Sequence, residues 1–519
     1  MLRFTVMQLN PDMKFRLKLP LGFGLLFFSQ LLLAEGFDAK VESFVRPWAN
    51  ALSNIIFYKI QLFGQGFPLI VLWLAIAALF FTLYMGFLNI RGFSLAVRHV
   101  RGDFDDPDAK GEISHFQAVA TAISGTVGIG NIGGVAVAIV IGGPGAAFWL
   151  MVAGFLSMST KMVECTLGVK YRKHNPDGSV SGGPMYYLEH YLSKRGAPGW
   201  GRLLGGFYAL SLVIGCFGIG NMFQSNQAYV QFVIITGGEQ SFFADKGWLF
   251  GLCLAVAAAV VIIGGIKSIA RVAGYIVPFM AVLYVVSCLI IIAMSADQVP
   301  GAIHLIFSSA FTSESVTGGM VGAIIVGFQR ALFSNEGGIG SASIAHSAVQ
   351  TNEPASEGLV SLLEPFIDTV IICTLSSLVI VTTAYPNNLM DEGLVGIALT
   401  SASFAHHISW APYPLAVAAL LFAFSTSISW SYYGLKGWTY LFGEAKFTEM
   451  IFKAIFCCFI ALGCMIQLTA VLEFSDAMVF LIAIPNILGL YLYAPEVKRE
   501  INDYITRLRQ RDREQALQD

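Results

Sequence analysis

The chain alternates long apolar stretches with short polar loops between residue 67 and residue 493. Most stretches hold about 20 or more mainly apolar residues, the length that an α-helix needs to cross a lipid bilayer. The pattern therefore predicts an all-α, multi-pass membrane protein with about eleven transmembrane helices. The predicted spans cover residues 67–88, 114–141, 145–168, 201–234, 247–266, 270–296, 317–349, 356–382, 411–435, 447–470 and 473–493.

The second span contains SGTVGIGNIGG, the stretch from Ser124 to Gly134, in which five of eleven residues are glycine. A glycine inside a helix costs about 1 kcal/mol relative to alanine, so we expect this helix to unwind near its centre. Unwound backbone is tolerated within a membrane only where protein or a water-filled cavity surrounds it. The alternative is a continuous, closely packed helix, since Gly130 and Gly134 form a small-xxx-small pair.

A second glycine-rich stretch, SNEGGIGSAS from Ser334 to Ser343, interrupts the seventh span about 210 residues later. Interrupted spans at corresponding places in two halves of a chain are the best sequence pointer to the binding site of a secondary transporter. If each of these spans is the first helix of a five-helix repeat, the odd number of helices gives the second repeat the opposite orientation in the membrane. The sequence thus predicts a five-plus-five inverted repeat over residues 114–296 and 317–493, preceded by one extra helix at 67–88.

The two ends of the chain fall outside the predicted repeats. Residues 1–34 combine a basic start, an apolar run and small residues, the layout of a secretory signal peptide or of an uncleaved anchor helix. Residues 35–66 contain an amphipathic segment around Trp48 to Ile60 that we expect to lie at the membrane interface. Residues 494–519 form a basic tail.

Composition supports the membrane class, and charge predicts the orientation. Of the 519 residues, 56% are hydrophobic and 12% are charged, with a mean hydropathy of +0.68, which is far from a soluble globular protein. The C-terminal tail and one set of alternate loops together carry 20 lysine and arginine residues. The segments on the other side of the membrane carry 4. The positive-inside rule then places the richer side and the C-terminus in the cytoplasm, across the inner membrane. No basic tract with interleaved aromatic residues suggests nucleic acid as a partner.

The helix ends exposed at the two breaks could bind a small solute that carries a carboxylate, together with a sodium ion. Free N–H groups at a helix N-terminus attract a carboxylate, and unwound carbonyls ligate a hard cation. Glu336 in the second break could pair with a substrate ammonium, balance the cation or carry a proton, or it could pair internally with Arg330. Asn131 could ligate a cation through its amide oxygen, or it could make an interhelical hydrogen bond.

Polar side chains on two further spans could complete the site. Gln224 on the fourth span could reach the solute. On the ninth span, Thr426 and Trp430 lie four residues apart on one helix face, so the hydroxyl could complete a sodium shell while the indole limits solute size. Hydrogen bonds from the serine and threonine hydroxyls to the preceding helical turn are the alternative.

Other ionisable residues in the spans do not form a recognisable catalytic arrangement. Lys161 and Glu164 are predicted to pair with each other near the cytoplasmic end, and no role is assigned to His346, Glu364 and Asp368. No nucleophile and base pair, phosphate-binding loop or metal-binding motif occurs, which argues against an intramembrane enzyme. No repeated row of polar residues favours a passive channel. The sequence therefore favours a secondary transporter.

Six motifs in order along the chain resemble the alanine or glycine:cation symporter family, also called sodium:alanine symporters. They are TAISGTVGIGNIGGVAVAIVIGGPGAAFW, SGGPMYYLE, GIGNMFQSNQ, FSNEGGIGSASIAHSAV, FIDTVIICT and SISWSYYGLKGWTYLFG, and the resemblance extends from about residue 60 to about residue 495. It implies a LeuT-type fold with one extra leading helix. It also implies Na+-coupled uptake of a small neutral amino acid such as alanine or glycine, with no cofactor besides the coupling ion.

The same resemblance implies a set of site residues. The amides of Ile129 and Gly130 would lie near the substrate carboxylate, with Asn131 beside the substrate. The other residues implied around the substrate are Gln224, Asn335, Gly337, Gly338 and Trp430. One sodium site would be formed by the carbonyls of Ser124 and Val127 and the hydroxyls of Ser425 and Thr426. Glu336 is the candidate for ion or proton coupling.

The chain departs from the family pattern close to these residues. The family commonly has threonine where Ile129 stands, and alanine where Gly125 and Gly337 stand. Ile129 removes a polar group beside the solute, so the choice of substrate is the least determined part of the prediction. Proton-coupled or mixed-cation uptake of another neutral amino acid, such as glutamine or serine, is the alternative.

Overall fold

The protein folds almost entirely into α-helices, and the computed structural model describes residues 37–62, 65–106, 108–312 and 319–518. The signal-peptide-like segment predicted at residues 1–34 lies outside them. The first described element is α1 (Phe37–Ile56), on which the Trp48 side chain is 70% exposed. A hairpin follows, formed by β1 (Lys59–Leu62) and β2 (Gln65–Pro68), with Lys59 opposite Pro68. The sequence predicted an amphipathic segment here but not the hairpin.

The remaining elements follow in chain order, and the helices are interrupted at two places. Before the first break stand α2 (Leu69–Tyr84), α3 (Leu88–Arg91), α4 (Phe93–Val100) and α5 (His115–Thr126). After it come α6 (Gly133–Gly142), α7 (Gly145–Lys170), the paired strands β3 (Lys173–His174) and β4 (Val180–Ser181), α8 (Pro184–Lys194), α9 (Pro198–Phe217) and α10 (Phe223–Ile235). Four helices lead to the second break: α11 (Gly247–Ile263), α12 (Gly265–Met294), α13 (Val299–Phe311) and α14 (Gly319–Asn335).

The last third of the chain is again helical. It contains α15 (Ala342–His346), α16 (Pro354–Val360), α17 (Leu363–Pro365), α18 (Thr374–Thr383), α19 (Ile397–His407), α20 (Pro412–Phe442), α21 (Lys446–Gly463) and α22 (Leu468–Gln518). Two π-helical segments, Gly218–Met222 and Phe366–Cys373, join α9 to α10 and α17 to α18. Single 3-10 turns lie at Ile129–Asn131, Gly238–Gln240 and Leu389–Glu392.

The protein is a multi-pass membrane protein. Among the described residues, six helices are long and apolar enough to span a bilayer, and one bent pair makes a seventh. They are Gly145–Lys170, Pro198–Ile235, Gly265–Met294, Pro354–Thr383, Pro412–Phe442 and Leu468–Glu514, with His115–Thr126 and Ile129–Gly142 as the bent pair. The predicted count of about eleven is not reached by length and composition alone, because α2, α11 and α14 have only 16, 17 and 17 residues.

The outward face of the helices is apolar, as expected for a surface in contact with lipid. Val260 on α11 is 72% exposed, and Tyr275 and Phe279 on α12 are 79% and 59% exposed. The centre, in contrast, is fully packed: Trp430 and Phe422 on α20 are completely buried. The polar residues that could bind a solute therefore lie in the interior, around α20 and the two breaks.

The two broken helices cross this centre in opposite directions. At one end Ile113, just before α5, forms a bridge with Val349, just after α15, and the Gln350 amide donates to the Ile113 carbonyl at 2.8 Å. At the other end Gly142, the last residue of α6, packs against Val326 in α14. The start of one broken helix therefore lies beside the end of the other. This confirms the antiparallel arrangement that was predicted for the pair.

Candidate functional site

The first break lies between α5 and α6, whose axes are bent by 58°. Regular helical bonding stops here because the Gly128 amide donates to Oδ1 of Asn131 at 2.8 Å and not to the Ser124 carbonyl four residues earlier. The next amide, that of Ile129, donates to Oε1 of Gln224 at 2.9 Å. The carbonyls one turn earlier are thus released from their usual helical partners. The unwinding predicted for this stretch is confirmed.

Oxygen atoms from two other helices approach the break at Gly128. A Cβ atom on Gly128 would lie 2.7 Å from Oγ1 of Thr426 and 2.9 Å from Oε1 of Gln224, so only glycine permits this approach. The buried Thr426 hydroxyl has no hydrogen-bond partner among the described residues. The neighbouring carbonyl, that of Ser425, accepts from the Ser124 hydroxyl at 2.7 Å. An unpaired buried hydroxyl costs about 1–3 kcal/mol, which a bound cation would relieve.

The second break follows α14 and turns at Glu336, which has a φ of +57°. A left-handed conformation is unusual for a residue with a side chain and is often found at functional sites. Other side chains bind the carbonyls that this turn releases: Asn486 donates to the Gly338 carbonyl at 2.9 Å, and the Tyr208 hydroxyl donates to the Ile339 carbonyl at 3.0 Å. The predicted interruption is confirmed, but side chains of the protein already bind the carbonyls that it releases. The Glu336 carboxylate is therefore the group of this break that could act on a solute or an ion.

Trp430 on α20 links the two breaks. Its indole Nε1 donates to Oε1 of Glu336 at 2.9 Å and lies 3.3 Å from the carbonyl oxygen of Gly125. The second carboxylate oxygen of Glu336 accepts from the Ser341 hydroxyl. One indole therefore holds the carboxylate of the second break against the unwound backbone of the first.

The position of the Trp430 ring depends on Gly220, in the π-helical segment between α9 and α10. A Cβ atom on Gly220 would lie 2.0 Å from Cγ of Trp430. We expect Gly220→Ala to push the indole away from Glu336, at a packing cost of about 1–3 kcal/mol, and to slow solute uptake about 10-fold. The measurements are the initial uptake rate and the melting temperature. Gly206→Ala is the matched control, since no atom lies within 4 Å of a Cβ there; equal activity of the two variants would contradict this role of Gly220.

Asp368 is a site residue to which sequence reasoning assigned no role. Its carboxylate accepts from Nδ2 of Asn131 at 2.7 Å and from the Ser334 hydroxyl at 2.9 Å, so it joins the first break to the end of α14. It lies in the π-helical segment before α18, and such segments are frequent at functional sites. The signal that could have identified it is an aspartate within an apolar span. The amide of Asn131 is thus engaged in hydrogen bonds within the protein.

The residues predicted for the site fall into two groups. Those of the first break lie together with α10, α20 and the Glu336 carboxylate, and all are buried, so this conformation is closed around them. This group contains Ser124, Val127, Ile129, Gly130, Asn131, Gln224, Ser425, Thr426, Trp430 and Glu336. The other three stabilise the second break: the Gly337 amide donates to Oδ1 of Asn335 at 2.9 Å, and the carbonyl of Gly338 is held by α22.

One predicted ion pair is wrong, and one pair that the sequence left open as an alternative does not form. Arg330 pairs with Asp476 on α22, and not with the glutamate of the second break. Lys161 pairs with Glu364 at 3.1 Å, and not with Glu164. In both cases the partner comes from a helix that is distant in the sequence.

Residues 50–518 match the family described as the sodium:alanine symporter family. The sodium/alanine symporter AgcS of Methanococcus maripaludis is 39% identical over 437 residues, which cover 83% of this chain and 93% of that protein. The probable sodium/glutamine symporter GlnT of Bacillus subtilis is 33% identical over 84% of this chain and 87% of that protein. Among solved structures, MhsT in complex with L-phenylalanine has a similar fold, with a TM-score of 0.54 at 14% identity, over 76% of this chain and 98% of that chain.

Proposed function

This chain belongs to the sodium:alanine symporter family, a family of transporters, and from that premise we propose that it couples inward flow of Na+ to uptake of alanine or glycine. The observation that carries the proposal is the first break, where helical bonding stops and the Thr426 hydroxyl, which has no partner among the described residues, approaches the backbone at Gly128. The solute crosses unchanged, by alternating access, and no cofactor besides the coupling ion is needed. The protein lies in the lipid bilayer of the inner membrane, with its basic loops and C-terminus in the cytoplasm.

The fold that we propose for this function is a LeuT-type five-plus-five inverted repeat. The first repeat covers residues 114–296, the second covers 317–493, and the helix at 67–88 precedes them. The antiparallel contacts between the two broken helices support this assignment. The similarity in fold to MhsT supports it as well.

The amino acid would bind by its carboxylate at the first break, on the amides of Ile129 and Gly130. In this closed conformation an oxygen of Gln224 already accepts from the Ile129 amide, so the position is one that suits an oxygen acceptor. The ammonium group would face Glu336. A Cβ atom on Gly130 would lie 3.6 Å from the ring of Phe333, so this glycine packs against the ring. Asn131, Trp430, Asn335, Gly337 and Gly338 would form the rest of the wall.

The sodium ion would lie on the other side of the first break. Its ligands would be the carbonyls of Ser124 and Val127 and the hydroxyls of Ser425 and Thr426. Oxygen atoms are the ligands that a hard cation prefers. Support comes from the Ser124 carbonyl, which lacks its helical partner, and from the Thr426 hydroxyl, which lacks a partner among the described residues.

Removing the Thr426 hydroxyl should weaken sodium coupling selectively. Thr426→Val keeps the shape of the side chain but removes one ligand, a loss of about 1.4 kcal/mol, so we expect half-maximal uptake to need about 10-fold more Na+. The measurement is the uptake rate as a function of Na+ concentration at fixed alanine. Thr426→Ser retains the hydroxyl and should keep the wild-type dependence. An unchanged sodium dependence in Thr426→Val would remove this residue from the ion site.

The experiment that tests the function is uptake of radiolabelled alanine into proteoliposomes. We expect saturable accumulation that requires an inward Na+ gradient and falls to the level of protein-free vesicles when choline replaces Na+. Uptake that ignores both Na+ and H+ gradients, or that does not saturate, would overturn the proposed symport and would favour a passive channel.

Glutamine, or another neutral amino acid such as serine, is the second candidate substrate, with Na+, H+ or both as the driving ion. The observation in its favour is the similarity to GlnT, whose name records glutamine. Competition against labelled alanine by unlabelled glycine, serine and glutamine ranks the candidates. The proposed function predicts that alanine and glycine compete best.

A further inference from the structure

A groove opens on the outer surface of the helices, on the side of α5 that faces away from the proposed binding site. It encloses about 200 Å³, and the residues of α4, α5, α12, α17 and the following π-helical segment that line it are all apolar. Phe116 on α5, which is 42% exposed, and Pro278 on α12, which is also exposed, lie at its open side. Empty space of this size is rare in a packed protein, so we expect an apolar molecule from the membrane to fill the groove.

The groove runs along one face of α5, within the cytoplasmic leaflet of the bilayer. Its lining residues on this helix include Phe116, Ala120 and Ile123, which are spaced four and three residues apart and so share a face. From Phe116 to Ile123 the helix rises by about 10 Å. The hydrocarbon layer of one leaflet is about 15 Å thick. In the orientation proposed above, α5 enters the membrane from the cytoplasm at its first residue, so the groove extends through most of that leaflet.

The opposite face of α5 packs against α20. The Thr121 carbonyl accepts from the Ser429 hydroxyl at 3.0 Å, and the Gly125 carbonyl oxygen lies 3.3 Å from the indole nitrogen of Trp430. These contacts fix the front of the half-helix that leads into the first break. A molecule in the groove would therefore pack against the back of the same half-helix.

Two basic residues of α12 stand at the cytoplasmic end of the groove. Lys267, Arg271, Gly274, Pro278 and Ala281 are spaced four, three, four and three residues apart, so they form one stripe along the helix. The last two line the groove, and a Cβ atom on Gly274 would lie 3.7 Å from the ring of the α5 phenylalanine. Both basic side chains are exposed, and neither has a carboxylate partner among the described residues. Their charges therefore lie about two to three helical turns from the proline, near the membrane surface.

The acidic residues of the loop before α5 are engaged with other groups. Asp103 lies 3.5 Å from the guanidinium of Arg98, and Asp105 lies 3.9 Å from Nε2 of His115. The same loop adds a further exposed basic residue, Arg101, directly after Val100, which lines the groove. The cytoplasmic end of the groove is therefore basic, whereas its walls are apolar.

We propose that the groove binds one phospholipid with an anionic headgroup from the cytoplasmic leaflet. One acyl chain lies along α5 against the apolar walls, and the phosphate group lies at Arg271 and Lys267. An apolar slot between helices that ends in basic residues at the membrane surface matches the two parts of such a lipid. The proposal goes beyond the transport function and rests only on the membrane orientation that was proposed with it.

Native mass spectrometry of the purified full-length protein tests the site, with phosphatidylglycerol and phosphatidylcholine of equal chain length as probes. We expect the wild-type protein to retain one phosphatidylglycerol more tightly than phosphatidylcholine. Arg271→Gln should weaken this retention about 5-fold, the contribution of one basic residue near an anionic lipid surface. Arg499→Gln is the matched control and should behave as wild type, because Arg499 on α22 is also exposed and has no carboxylate partner among the described residues.

Ala281→Phe tests the apolar part of the site. The new ring would occupy the groove that Ala281 lines, so the bound phosphatidylglycerol should be lost and should no longer raise the melting temperature. Val282→Phe places the same ring on the neighbouring residue, which is 61% exposed, and should leave lipid retention unchanged.

Each outcome decides the question. Equal retention of the two lipids by the wild-type protein overturns the proposal, and so does wild-type retention in either Arg271→Gln or a folded Ala281→Phe protein. If Ala281→Phe does not fold, Arg271→Gln decides alone, because its exposed side chain has no partner to lose. A lipid-free dimer of the wild-type protein would show that a second copy covers the groove, and it would also overturn the proposal. None of these results bears on sodium-driven alanine uptake, which is measured separately.

Discussion

Gly128→Ala should abolish sodium-driven uptake while the protein still folds. The new methyl group would stand 2.7 Å from the Thr426 hydroxyl oxygen and 2.9 Å from the amide oxygen of Gln224, closer than a methyl group can approach either. Both side chains must move, so the ion loses one ligand and the solute site loses the position of Gln224. Two lost polar interactions of about 1.4 kcal/mol each correspond to at least about a 100-fold slower uptake. The measurement is the initial uptake rate at high Na+ concentration.

The control for this variant lies in the same glycine-rich stretch. Gly134→Ala adds the same methyl group at the start of α6, where no atom lies within 4 Å of a Cβ. It should take up alanine at nearly the wild-type rate, and both proteins should elute as a single species in size-exclusion chromatography. Wild-type uptake by Gly128→Ala would show that the close approach of α10 and α20 to the first break is not part of the site.

Glu336→Gln should weaken alanine recognition about 100-fold in kcat/KM, mainly through a higher KM. A charged hydrogen bond contributes about 1.5–3 kcal/mol, and the variant removes the negative charge that we assign to the substrate ammonium. The fold should survive, because the amide oxygen can still accept from the Trp430 indole, which lies 2.9 Å from the carboxylate in the wild type.

Ser341→Ala separates the charge of Glu336 from its hydrogen bonding. That variant removes only a hydroxyl donor from the carboxylate and leaves its charge and its bond to Trp430 in place. Its KM for alanine should rise less than about 10-fold, as expected for loss of one bond. A wild-type KM in Glu336→Gln would exclude contact between this carboxylate and the ammonium group.

The two breaks could be predicted from the sequence because the signal is local. Glycines raise the cost of helix within one short stretch, and that cost does not depend on where the rest of the chain lies. The partners of buried charged groups could not be predicted, because they are set by packing between distant helices. Arg330, for example, pairs with Asp476 across 146 positions of sequence, and Lys161 pairs with Glu364 across 203.

Differences in the fold have equally plain causes. The helix Val299–Phe311 lies between two predicted spans and was missed, because a hydropathy window of about 19 residues averages a short helix with its polar neighbours. The helix that begins at Leu468 was expected to end near residue 493, but it continues to Gln518. Contacts that the sequence does not reveal stabilise this extension, among them the pair of Arg98 and Asp512 at 2.8 Å.

Alanine affinity measured by titration calorimetry in Na+ and in choline buffers tests most directly whether solute and ion share the first break. Because coupling between two ligands is reciprocal, Na+ should tighten alanine binding at least about 10-fold, and alanine should tighten Na+ binding by the same factor. An alanine affinity that is equal in the two buffers would contradict a shared site formed by the unwound backbone.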